Sequence, residues 1–176
     1  ETYHRNDGTG SSFEKWMARG YHWTASPSVS RTGYTSQGWW TGATGGSKYC
    51  DMGGSTSSSS YSGIVSRTTK AYYARWTANS YTVEYWNKAG TARLSSDAGF
   101  KYDTARNLAA KPTSGVNAGY TAVGWAASAN QSKATYGFGS SQKNLVASGT
   151  KKLYLAETAN KITLAWNSQG GSTVAS

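Results

Sequence analysis

Cysteine, proline, histidine and acidic side chains are scarce in this chain, and each scarcity excludes something. Cys50 is the only cysteine, so no internal disulfide can form and stability must come from packing and backbone ladders. Two His beside one Cys do not make a zinc site of the usual Cys/His kind. Charged residues are 15% of the chain, against roughly 25% in ordinary soluble domains. Ser, Thr, Asn and Gly must therefore cover the surface, a habit of secreted β-proteins, and an extracellular location is expected. The acidic shortage, 8 Asp and Glu against 18 Lys and Arg, leaves a net charge of +10. The basic residues are scattered, with Lys151-Lys152 the only adjacent pair. Scattered charge reads as a solvated surface and not as a nucleic-acid face. No apolar run approaches membrane-spanning length, so no membrane partner is expected. A chain opening at Glu1 suits a mature, processed product.

What the chain has in plenty is Trp and Tyr, 8 and 13 against only 3 Phe. Both join a flat apolar face to a polar tip, which suits half-wet surfaces and stacking on sugar rings as well as core packing. At 176 residues the length fits one domain, 1–176, with a core of its own. Short aromatic and β-branched segments recur between Gly/Ser/Asn breaks, the rhythm of an all-β sandwich or barrel. The expected strands are Phe13 to Met17, Gly20 to Thr24, Ile64 to Thr69, Ala71 to Thr77, Tyr81 to Asn87, Gly119 to Ala126, Thr150 to Leu155 and Lys161 to Trp166. Gly53 to Ser60 reads as an exposed low-complexity loop. Ser140 to Gly149 opens on capping serines and closes on glycine, which predicts one short α-helix over Ser140 to Ser148.

Trp76-Thr77-Ala78-Asn79-Ser80-Tyr81-Thr82-Val83-Glu84-Tyr85-Trp86, with Gly90-Thr91 after it, resembles the nucleophile strand of family 11 xylanases. Asn6-Asp7-Gly8, Gly38-Trp39, Tyr102-Asp103, Pro112-Thr113-Ser114-Gly115, Trp125 and Gly171-Ser172 fall in the order of that family's other landmarks. The resemblance covers nearly the whole chain and rests on order and spacing. It implies a jelly-roll β-sandwich of two twisted antiparallel sheets with one helix. It also implies retaining endo-hydrolysis of β-1,4 bonds in xylan by a monomer without a cofactor.

Such chemistry needs two carboxyls about 5 to 5.5 Å apart, one attacking and one donating a proton. By the resemblance Glu84 is the nucleophile. Strand alternation puts Thr82, Glu84 and Trp86 on one face and Val83 and Tyr85 on the other. On sequence alone, without the resemblance, Glu84 reads sooner as an outward-facing carboxylate on a solvated face than as a functional one. Two positions compete for the acid/base: Glu157 by residue type, and Ala165 by alignment from Gly171-Ser172. The resemblance further implies substrate contacts from Trp86, Tyr72 or Tyr73, Arg106, Pro112 of the thumb, and Trp39, which serves as sugar platform or as core. A non-catalytic carbohydrate-binding module or lectin on the same architecture is the alternative, since fold does not fix function.

Overall fold

A computed structural model describes residues 1–15, 25–54 and 70–165, with Asn167 and Gln169. The expectations for Gly20 to Thr24 and Ile64 to Thr69 lie outside the described residues, as do Trp16 and Met17, Ser55 to Ser60, Trp166 and Gly171-Ser172. The chain is all-β. Its strands are β1 (Thr2–His4), β2 (Ser12–Glu14), β3 (Tyr34–Trp40), β4 (Lys48–Cys50), β5 (Ala71–Ala78) and β6 (Ser80–Trp86). They continue as β7 (Arg93–Lys101), β8 (Arg106–Asn107), β9 (Tyr120–Ala126), β10 (Ser141–Gln142) and β11 (Gly149–Ala159). A five-stranded sheet runs β2-β1-β5-β3-β4 and a four-stranded sheet runs β7-β6-β11-β9, with β8 and β10 forming a small pair.

Three expectations are corrected. There is no helix at Ser140 to Ser148, nor anywhere among the described residues. Ser141 and Gln142 pair as β10, and Asn144 adopts φ +58°. That left-handed conformation breaks a helix, and a side-chain lock onto Asp103 holds it there: Asn144 Nδ2 donates to Asp103 Oδ1 at 2.7 Å and Asn144 Oδ1 accepts from the Asp103 N–H at 2.6 Å. The first sheet is not wholly antiparallel either, because β1 runs parallel to β5, with Tyr3 opposite Tyr72. Finally, residues 161–165 form no strand and are exposed. The strands β1, β3, β4, β7, β8 and β10 escaped the reading of periodicity. β7 is a polar edge strand that buries only Phe100, and β3 carries a bulge between Ser36 and Gly38 that interrupts its alternation.

By compactness the chain divides into two units. One comprises the described residues of Glu1–Thr82, Ala98–Arg106 and Gln142–Lys151, the other those of Val83–Asp97, Asn107–Ser141 and Lys152–Ser176. The first unit is centred on Tyr3, Trp39, Cys50, Tyr72 and Ala74, with Val29, Tyr49, Met52 and Trp76 packed around them. Tyr3 meets Trp39 edge-on at 4.9 Å between ring centroids, and the Trp39 indole N–H donates to the Pro27 carbonyl at 2.9 Å. In the second unit Tyr85 lies 4.7 Å from Trp125, whose indole N–H donates to the Ala109 carbonyl at 2.9 Å. Val83, Leu108, Leu153, Leu155 and Ala156 are buried in that unit. Burying an indole with its N–H satisfied gains the apolar area without the penalty of an orphaned donor.

Candidate functional site

The alternation expected in β6 is present. Tyr81, Val83 and Tyr85 are buried, while Thr82, Glu84 and Trp86 occupy the other face. On that face Glu84 Oε1 accepts from the Arg93 guanidinium at 2.8 Å, and Oε2 accepts from the Trp86 indole N–H at 3.1 Å. The Lys152 ammonium stands over the Trp86 ring, 4.8 Å from its centroid. The Arg93 hydrogen bond, then that from Trp86, hold the Glu84 carboxyl below the ordinary carboxylate range. Such a group is ionised at neutral pH, but both of its oxygens are already engaged.

Glu157 is in a different setting. It is fully buried, its Oε1 accepts the Asn117 backbone N–H at 3.1 Å and its Oε2 accepts Asn117 Nδ2 at 2.7 Å. Its own N–H donates to the Gln131 carbonyl, and its carbonyl accepts from Lys88. The side chain fastens the loop containing Asn117 to β11. Glu84 and Glu157 are engaged by different partners, Arg93 and Trp86 for the one and Asn117 for the other. Ala165 is exposed and outside any strand.

The remaining positions scatter in role. Trp39 is fully buried and Tyr72 nearly so, with Tyr49 stacked on Tyr72 at 4.0 Å, so neither offers a face to a sugar. Tyr72 is corrected to core, and of the two roles expected of Trp39 it has the core one. Arg106 is exposed and lies over Phe100 at 5.7 Å. Pro112 is partly buried in the loop between β8 and β9. Tyr73 is half-buried and stacks on His4, with 4.7 Å between centroids. That pair lines a shallow open pocket of about 270 Å³ with Asn6, Gly8, Gly10, Ser11 and Ala43. Among the described residues no group of three or more His, Cys, Asp or Glu side chains is placed to hold a metal.

A signal that periodicity alone missed is a repeat. Gly33-Tyr34-Thr35-Ser36-Gln37-Gly38-Trp39 and Gly119-Tyr120-Thr121-Ala122-Val123-Gly124-Trp125 share the pattern G-Y-T-x-x-G-W. The two copies are built alike. Both have a bulge before the second glycine, skipping Gln37 in one and Val123 in the other. Gly38 (φ +89°) and Gly124 (φ +149°) each face a carbonyl of the next segment. A Cβ would stand 2.4 Å from the Cys50 oxygen in one and 2.6 Å from the Tyr136 oxygen in the other. The order β2-β1-β5-β3 in the first sheet is repeated as β7-β6-β11-β9 in the second. The pattern of one known family, the Listeria-Bacteroides repeat domain, matches residues 2–74 and again residues 81–154.

The chain belongs to the Listeria-Bacteroides repeat domain family. No curated protein and no solved structure matches it. The two matches fall one on each copy of the G-Y-T-x-x-G-W pattern, which gives the repeat a physical definition. Each copy has an opening strand with a buried Tyr, a bulged strand with a carbonyl-bound Trp, and a closing strand between them. In repeat register Ile162-Thr163-Leu164-Ala165 comes after Asn160 as Tyr81-Thr82-Val83-Glu84 comes after Asn79. Ala165 therefore stands at the place of Glu84 in repeat register.

Proposed function

We propose that this chain is a non-catalytic, extracellular repeat module that contacts polysaccharide and otherwise serves as a spacer. One observation carries the reading: both carboxylates that hydrolysis would require are spent on structure. Glu84 is held by Arg93 and Trp86, and Glu157 is buried on Asn117. A repeat also has no need of a unique catalytic strand. The position of Glu84 is filled by Ala165 in repeat register, so it is free to vary from copy to copy. Retaining xylan hydrolysis, and the jelly-roll arrangement implied with it, is the opposing reading, and the parallel pairing of β1 with β5 counts against that arrangement.

Polysaccharide contact is assigned to the open pocket of the first unit, where the stacked His4–Tyr73 pair offers a flat face and Asn6 and Ser11 offer polar atoms. In the second unit the hairpin glycine is instead covered: a Cβ on Gly90 would stand 2.9 Å from the Tyr154 ring, whereas one on Gly8 would meet nothing within 4 Å among the described residues. The test is reducing-sugar release from xylan together with electrophoresis through gels containing soluble xylan. No sugar release is expected from the wild type or from Glu84→Gln. Retardation should occur in the gel and disappear in the His4→Ala/Tyr73→Ala double variant. Sugar release abolished by Glu84→Gln would replace this reading with the hydrolase. Unretarded wild type would leave a spacer without the binding role.

A further inference from the structure

The pocket beside the His4–Tyr73 stack is lined by neither lysine nor arginine, although Lys and Arg outnumber Asp and Glu by 18 to 8 in the chain. The guanidinium groups that follow its lining residues in sequence are committed elsewhere. Arg5 is ion-paired with Asp7 at 2.8 Å and donates to the Ser30 carbonyl at 3.1 Å. Arg75 donates to the Gly42 and Gly45 carbonyls and lies over the Trp40 ring, 4.2 Å from its centroid. The amide hydrogens of Asn6 are also spent, on the Ala74 carbonyl at 3.0 Å and the Ala43 carbonyl at 3.4 Å. What Asn6 keeps is its side-chain oxygen, an acceptor. Ser11 follows from proton counting. Hydrogen bonds from Thr9, that of the side chain first, hold the Asp7 carboxyl below its ordinary value. Asp7 is therefore ionised and accepts the single Thr9 hydroxyl hydrogen, at 2.7 Å. The 2.9 Å contact between the Thr9 and Ser11 hydroxyls is then made with the Ser11 hydrogen, which leaves Ser11 Oγ its lone pairs.

We infer that this pocket takes one uncharged sugar ring of a neutral polysaccharide and rejects acidic sugars, in spite of the chain's net charge of +10. The inference rests on the polysaccharide reading of the same pocket and names the class of sugar. A sugar hydroxyl both donates and accepts, so it satisfies the oxygens of Asn6 and Ser11. A carboxylate or sulfate only accepts. It would lie against those two oxygens with no cation to compensate the loss of its water. Size points to a single ring. The pocket of about 270 Å³ falls just below the roughly 300 to 1,000 Å³ of sites that enclose drug-sized ligands. The positive charge of the chain and the specificity of its pocket are therefore separate properties.

The experiment is affinity electrophoresis in gels of neutral arabinoxylan or of polygalacturonate, in mildly alkaline buffer where imidazole carries no charge. Retardation of the wild type by arabinoxylan should be equal at about 50 and 200 mM salt, a range over which charge-driven binding weakens by orders of magnitude. Ser11→Ala removes one acceptor and should weaken that retardation about three- to tenfold. Its Tm should stay within about two degrees of the wild type, as for a surface change. Polygalacturonate meets only the general positive charge. Its effect should fade with salt and be equal in the wild type and the His4→Ala/Tyr73→Ala variant. Polygalacturonate retardation lost in that variant, or arabinoxylan retardation that fades with salt, overturns the inference and leaves the polysaccharide reading standing. So does a Ser11→Ala variant retarded as strongly by arabinoxylan as the wild type. Arabinoxylan retardation that is absent, or unchanged in the double variant, ends both.

Discussion

The two halves of this chain solve one folding problem with the same key parts and different trimmings. Each buries an indole whose N–H is bound to a carbonyl, at Trp39 and at Trp125, and each sets a tyrosine against it. Each passes a bulge into a glycine that only a bare Cα can occupy. The differences are peripheral. The first half carries a His4–Tyr73 stack beside an open pocket, while in the second Tyr154 covers Gly90 and a buried Glu157 replaces apolar packing. Positions that recur hold the sheet together, and positions that vary are where function can be written without loss of fold.

The largest expected effect tests the shared parts. Trp39→Ala and Trp125→Ala should each cost about 3–5 kcal/mol, because each removes a fully buried ring and orphans a carbonyl. Urea unfolding followed at the remaining tryptophans would read it. Costs differing by more than about half would show that the two indoles do not play one role.

Next come the bulge glycines. Gly38→Ala and Gly124→Ala place a Cβ against backbone oxygen at positive φ, so each should lose about 1–3 kcal/mol. The comparison sharpens at the first glycine of the motif. Gly33→Ala should cost more than Gly119→Ala, because Tyr102 covers only Gly33. Equal losses in thermal melts would show that backbone strain alone governs both sites.

Glu157 separates the halves further. Glu157→Ala leaves the Asn117 N–H and amide without their acceptors in a buried place, at about 1–3 kcal/mol. Glu157→Gln keeps one acceptor oxygen and should lose less. If both variants matched the wild type in denaturant midpoint, the loop would not depend on this anchor.

The smallest effect is in pH. Asp103 accepts hydrogen bonds from Tyr34 and Asn144, and these, Tyr34 first, hold its carboxyl below its ordinary value. Glu84 is lowered in the same sense by Arg93. A carboxyl depressed by folding stabilises fully above its unfolded pKa, about 3.9 for Asp and 4.3 for Glu. It loses that contribution as pH falls through the folded value. Stability should therefore fall on acidification below about pH 4. Asp103→Asn and Glu84→Gln should each flatten that fall, both groups being exposed enough for the effect to be modest. A midpoint that varies with pH identically in wild type and both variants would remove the two carboxyls from the account.

Much of the fold was legible in the residues, and the failures share a cause. β5, β6, β9 and β11 were found because their apolar residues alternate or cluster enough to report burial. β7 was missed because an edge strand pairs through its backbone and buries little, so polar Arg93-Leu94-Ser95-Ser96-Asp97 carries no hydrophobic signal. The helix expected at Ser140 lost to a contact far along the chain, where Asp103 captures Asn144 in a left-handed turn. The site was less legible. Glu84 was placed on the right face of its strand, but Arg93 and Trp86, which engage it, come from pairing and from the local turn of the sheet. Trp39 and Trp125 were each read singly, and the G-Y-T-x-x-G-W repeat that joins them needed comparison of the chain with itself.

By itself the sequence determined the class of this protein: an all-β chain held without disulfides, with aromatic cores and a motif present twice. Those properties come from composition, alternation and conformational limits at glycine, all local or additive along the chain. Only the tertiary structure decided which carboxylates are engaged, which aromatics are core, and which apolar residues of the described chain are exposed. Those outcomes depend on which distant groups arrive within hydrogen-bonding reach. Arg93 at Glu84, Asn117 at Glu157 and Tyr102 at Gly33 set them.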